Sequence, residues 1–219
     1  MRLYVKISEN KEIIPFNYQH LLTGVVHKWI GEKNSEHGKP SLYCFSWLQN
    51  TVSFKNGINI KPNSYFFIST YEPDLLKKIM RGILAKPEMF CGSEAIDIQI
   101  KNAPVFSFQE RFILNSPILI RKRDGDNIKH ITYLDKDFDS LLTENLKSKL
   151  AMVNIPNKDV SIELDKNYSN PQTKLINYKG IMNKTTLAPV IIKGTPEQVK
   201  FAWQVGLGNS TGIGFGSIK

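Results

Sequence analysis

The chain has 219 residues, 41% of them hydrophobic, which is enough apolar content to pack one large or two small domains. Its 29 Lys and Arg outnumber 20 Asp and Glu, for a formal net charge of +9. Such a surplus favours a polyanionic partner, because each cation set against a phosphate releases counterions. No stretch reaches the about 20 apolar residues that span a bilayer, and the N-terminus alternates instead of forming an apolar signal block, so a cytoplasmic protein without a membrane partner is expected.

In chain order, residues 2–8 alternate as a strand, and residues 18–31 follow as a helix with Leu21, Leu22, Val25, Val26, Trp29 and Ile30 on its apolar face. Strands are expected at about 42–48 and 64–70, a helix over 74–84 and a strand over 96–100. The second half has a strand near 112–121, a helix near 138–152, strands near 160–166 and 174–193 with a long connection, and a helix over 196–205 with Pro196 in its first turn. Residues 214–218 alternate as a short terminal strand. Both halves read βαββαβ, so the expected class is α+β, two tandem ferredoxin-like domains at 1–104 and 105–219. Cys44 and Cys91, set among apolar neighbours, make neither a disulfide framework nor a metal quartet and read as core filler.

The densest signal is at the C-terminus. Gly206, Gly208, Gly212, Gly214 and Gly216 fall within eleven positions just after the last helix. Clustered glycine costs backbone entropy unless the chain must take φ > 0 or let something approach closely, and a phosphate backbone is one such visitor. The bland alternative is a helix stop and bulge that only close a sheet. A dinucleotide fingerprint is a weak match, since that motif follows a strand and opens a helix and here the loop follows a helix. The charge is uneven as well. Arg121, Lys122 and Arg123 end an apolar strand, and Lys166, Lys174, Lys179, Lys184 and Lys193 recur through a hairpin-like region with Tyr168 and Tyr178. Cations beside aromatic rings suit unpaired RNA, whose phosphates pair and whose bases stack.

The glycine-rich C-terminal loop, the doubled βαββαβ order and the run from Ile14 to Trp29 together resemble the CRISPR-associated endoribonucleases of the sixth Cas family, over essentially the whole chain. The resemblance implies metal-independent cleavage of precursor RNA within CRISPR repeats, leaving a 5′-hydroxyl and a 2′,3′-cyclic or 3′ phosphate. It also implies RNA as partner, further CRISPR-complex subunits as a second partner class, a monomer or homodimer, and no cofactor. The catalytic histidine of the family usually lies just beyond the first helix, which carries the role onto His37. In some members a tyrosine acts where this chain has His27. The family's cationic helper falls nearest Ser41, with Lys39 two residues earlier, and Lys39 or Lys28 would substitute for it.

The chemistry asks for the same residue types. Attack by a 2′-hydroxyl needs a base for its proton, an acid for the leaving 5′-oxygen and a cation for the phosphorane charge. Histidine serves either proton role near neutral pH, and there are four. His37 sits in a polar loop; His27 shares one side of the first helix with Gly24 and His20, and forms either an acid–base pair with His37 or packing near Trp29. His20 and His130 read as structural. No His, Asp and Glu set stands at ligand spacing, so no metal site is expected. Lys28, Arg121, Lys122, Arg123, Lys174, Lys179 and the five glycines are the candidate RNA contacts. A non-catalytic RNA-binding subunit and a basic scaffold protein remain the alternatives.

Overall fold

The computed structural model describes residues 1–31 and 40–219. The first half runs β1 (Arg2–Ile7), α1 (Gln19–Ile30), β2 (Tyr43–Phe45), β3 (Gln49–Phe54), β4 (Gly57–Thr70), α2 (Pro73–Ala85) and β5 (Ala95–Lys101). Alternation in β1 sends Leu3, Val5 and Ile7 to the helix-covered face, where they are buried with Leu22, Val26, Trp29, Ile79 and Ile83. Trp29 stacks on Phe66 at 6.0 Å and donates its indole N–H to Lys86 O. Strand order is β2-β4-β1-β5, with β3 folded back on the long β4.

The second half runs β6 (Gln109–Phe112), β7 (Ile120–Asp124), β8 (Asn127–Ile131), α3 (Phe138–Met152), β9 (Ser161–Leu164), β10 (Gln172–Tyr178), β11 (Ile181–Leu187), β12 (Val190–Lys193) and α4 (Pro196–Val205). Its sheet has the order β6-β12-β9, and an antiparallel bridge from Ile218 to Leu114 sets the C-terminal residues beyond β6. Both sheets therefore share the ferredoxin-like order, and each has its own buried apolar cluster. Helix α4 opens on a capping box, in which Thr195 Oγ1 accepts from Gln198 N and Gln198 Oε1 accepts from Thr195 N.

Arg2 joins the halves. Only 1% exposed, it donates to the carbonyls of Trp203 and Ile218, and its guanidinium lies 4.1 Å from the Phe67 ring and 3.7 Å from the Trp203 ring. Burial lowers its pKa to about 10, still well above neutrality. This contact sets the last turn of α4 and the chain end against β1 and β4, on the face of the first sheet away from α1 and α2.

Several boundaries differ from the sequence expectation. The strand expected near 112–121 divides into β6 and β7, with Leu114 and Ile118 making only isolated bridges between them. Pro117 lies in that break, and it has no N–H for a ladder. The stretch 174–193 is a hairpin, β10 and β11, followed by β12; Lys179 and Gly180 take φ of 49° and 84° at its turn. Residues 214–218 are not a strand: a 3-10 turn at Thr211–Ile213 is followed by irregular chain, and Ile218 alone bridges. Alternation is period two in such glycine-rich chain too, but Gly214 and Gly216 sit at φ of 87° and 65°, outside strand geometry.

Candidate active site

One face of α1, the stripe Gln19, Thr23 and His27 at four-residue spacing, meets the glycine loop. Gln19 Nε2 donates to Ile213 O at 2.7 Å, and Thr23 Oγ1 reaches the same carbonyl at 3.3 Å. The half-buried His27 sets Nε2 3.3 Å from Gly212 O. From β2, the buried Tyr43 hydroxyl lies 3.2 Å from His27 Nε2 and donates to Gly212 O at 3.1 Å. Imidazole, phenol and loop carbonyl thus form one polar triangle at the seam of the two halves. Ser41, two residues before Tyr43, borders it, and its carbonyl accepts from Thr211 Oγ1 at 3.4 Å.

The glycines face protein atoms. A Cβ on Gly212 would overlap the Ser41 side chain and the Tyr43 ring, and one on Gly216, at φ +65°, would overlap the Leu207 carbonyl. Gly206 faces Cys44, Gly208 the Leu119 carbonyl and Gly214 the Phe45 ring. Close packing of the loop against β2 and Ser41, against the chain at Leu119 and against its own Leu207 is thus a sufficient reason for glycine at these positions. Lys149 of α3 holds the loop from behind: 3% exposed, its Nζ donates to Gly208 O at 3.0 Å and Gly206 O at 3.3 Å. Burial lowers its pKa from 10.5 to about 8. Cys44, buried beside Gly206, has its thiol raised to about 11 by the same cause, and Cys91 is half-buried.

His37 and Lys39 lie outside the described residues. Of the other sequence candidates, the structure brings His27, Ser41 and Gly212 together. It sends Lys28 elsewhere: the ammonium binds the carbonyl and carboxylate of Glu88, on the connection after α2. On the same helix as Lys28, His20 Nδ1 turns to Asn17 O and Gly24 is exposed. Arg121 and His130 pair across the β7–β8 hairpin; Arg121 Nη2 donates to Asn183 Oδ1 at 2.8 Å, and burial, with Arg121 nearby, lowers the His130 pKa. Lys122 pairs with Asp137 at 3.0 Å, and Arg123 is exposed. Lys174 lines a cleft of about 620 Å³ between the halves, opposite Phe16, Gln19 and Trp47, while Lys179 sits at the hairpin turn beside the Tyr178 ring. Among the described residues no three His, Cys, Asp or Glu side chains gather as metal ligands, and no helix is long and apolar enough to cross a membrane.

Residues 100–219 match the family model for CRISPR associated protein Cas6, C-terminal, and residues 13–101 match that for CRISPR-associated protein Cas6, N-terminal. The chain belongs to the Cas6 family. It is 22% identical to the CRISPR-associated endoribonuclease Cas6 of Pyrococcus furiosus, over all of this chain and 89% of that protein. The CRISPR-associated endoribonuclease Cas6 1 of Methanocaldococcus jannaschii is 23% identical, over all of this chain and 92% of the relative. Among solved structures, a Cas6-related protein from Pyrococcus furiosus superposes with a TM-score of 0.84 at 25% identity, covering all of this chain and 97% of the other. A RAMP protein described as binding different RNA substrates gives 0.85 at 21% identity, covering 100% and 98%. Both likenesses extend over the two ferredoxin-like halves of this Cas6 chain.

Sequence reading missed four residues of this site. Gln19 and Thr23 were legible as polar positions at i and i+4 ahead of His27. Tyr43 was hidden in an apolar strand, and Lys149 in a helix whose one other lysine, Lys147, pairs with Glu144; for these two no local signal separates the buried polar group from its neighbours.

Proposed function

We propose that the chain is a metal-independent endoribonuclease that cuts CRISPR precursor RNA within its repeats by attack of a 2′-hydroxyl on the adjacent phosphate. The observation that carries this reading is His27, half-buried against Gly212 O and the Tyr43 hydroxyl in a chain of the Cas6 family. Nε2 lies 3.3 Å from Gly212 O, and an imidazole held in this way can take or return one proton. Tyr43 fixes the ring plane through a hydroxyl that itself donates to Gly212 O. His37, ten residues on, supplies the second imidazole in this proposal, so one ring removes the 2′-hydroxyl proton while the other protonates the 5′-oxygen. Lys39 supplies the cation for the phosphorane charge.

The RNA strand is proposed to enter along the cleft between the halves. Lys174 can pair a phosphate there, and Phe16, 59% exposed, and Trp47 present rings for bases. Arg123 and Lys179 extend the positive surface. The division near residue 104 assigns the acid–base residues to the first half and the basic hairpins to the second.

Labelled repeat RNA incubated with the chain in EDTA should be cut once per repeat, and a 2′-deoxy substitution at the scissile position should block cutting while leaving binding nearly intact. Cleavage lost in EDTA and restored by magnesium refutes the mechanism. Tight binding without any cutting would favour the non-catalytic RNA-binding subunit instead. His37→Ala should lower the cleavage rate by about 10²–10⁴ with RNA affinity retained; a rate within a few-fold of the parent removes His37 from the site.

A further inference from the structure

Strand β5 is the outer strand of the first sheet. Among the described residues it pairs with β1 alone, and none of its seven residues is fully buried, although the β1 residues opposite Ile98 and Ile100, Val5 and Leu3, are at 0% exposure. Its sequence is Ala95-Ile96-Asp97-Ile98-Gln99-Ile100-Lys101. It has neither proline nor an inward charge, and its one irregularity is a register shift near Ala95, so most of its length is a template for another strand.

The order of residues names the strand that fits. Set antiparallel to itself with Gln99 opposite Gln99 of the partner subunit, β5 puts Asp97 opposite Lys101 of the partner subunit, and Lys101 opposite the partner's Asp97. The same register puts Ile98 opposite the partner's Ile100 on the other face. Moving the centre to Ile98 or Ile100 loses both charge pairs. Asp97 and Lys101 already share a face, since Asp97 reaches Lys6 at 3.4 Å and Lys101 lies over the Tyr4 ring at 4.6 Å, both on β1. Ile98 packs on the first apolar cluster and Ile100 is 49% exposed, so the pairing would continue the row from Leu3 and Val5 into a second core. We propose that the free edge of β5 is a homodimer interface, in which two copies of this chain join their first sheets by antiparallel β5 pairing about Gln99. The strand order puts β5 at the edge opposite β2, so the pairing lies away from Tyr43 of the His27 triangle in both copies.

Sedimentation equilibrium of the full chain should show a concentration-dependent dimer. Asp97→Lys and Lys101→Asp should each raise the dimer dissociation constant about tenfold or more, because each puts like charges opposite one another twice. The double variant should regain most of the parent affinity. Gln99→Cys should give a disulfide-linked dimer on mild oxidation, with the parent as control for Cys44 and Cys91. A chain that stays monomeric at about 100 µM overturns the proposal, as does a double variant no tighter than either single one or a Gln99→Cys chain that does not cross-link. All three substitutions lie on an exposed strand, and thermal melts confirm that each chain is folded before its assembly is read.

Discussion

Replacing Lys149 by methionine should change how stability depends on pH, in a direction the structure sets. The amine is fully enclosed between α3 and the glycine loop, where it donates to Gly206 O and Gly208 O. Burial disfavours its charged form and lowers its pKa from 10.5 to about 8. Between those values the unfolded chain binds a proton that the folded chain releases, so this contribution to stability rises with pH from about 8 to 10.5 and levels off below about 8, where both states hold the proton. At about 1.4 kcal/mol for each pH unit of that gap, the contribution approaches about 3 kcal/mol. Lys149→Met removes this dependence and also leaves two buried carbonyls without their donor. Groups that titrate elsewhere are common to both chains, so the difference between them isolates the lysine. Urea unfolding followed by tryptophan fluorescence, from neutral pH to pH 10.5, should show the parent gaining about 3 kcal/mol on the variant. A difference that stays constant across that range would refute the buried-amine account.

His27→Ala should lower the single-turnover cleavage rate by about 10²–10⁴ with little loss of RNA affinity, and a fully active variant would remove His27 from the mechanism. Tyr43→Phe should cost less, because the ring still packs while one hydroxyl to Gly212 O and His27 is lost; the split between rate and affinity in a substrate titration checks it. Gly212→Val should lower the melting temperature before any RNA is added, since its Cβ overlaps Ser41 and Tyr43; a folded Val variant with normal stability and weak RNA binding would move the glycine's role from packing to phosphate approach. Arg123→Ala should flatten the salt dependence of RNA binding by about 0.7 per lost phosphate contact on a single strand. Lys122→Ala should flatten it less, because Lys122 is already paired with Asp137, and equal slopes in the two variants would contradict this ordering.

What the sequence determined by itself was whatever rests on local period and composition. The apolar faces of α1 and α2, the alternation of β1, the Pro196 start of α4 and the repeated βαββαβ order are each written within a few neighbouring residues, and they suffice for two ferredoxin-like halves. The glycine cluster, that repeated order and the run from Ile14 to Trp29 pointed to the right family for the same reason. The tertiary structure decided what those features touch. Why Gly212 and Gly216 must be glycine depends on Tyr43, Ser41 and the carbonyl of Leu207, the first two about 170 positions away in sequence. That Lys28 turns to Glu88 while His27 beside it turns to Gly212 follows from the 100° step of a helix wedged between two different partners. Nothing local separates Arg2 and Lys149 from the other cations of a basic chain, yet both are buried, because the carbonyls they satisfy become neighbours only when the second half closes on the first sheet and α3 closes on the loop. A burial that joins distant segments leaves no periodic trace, which is why Arg2, Tyr43 and Lys149 emerged only from the fold.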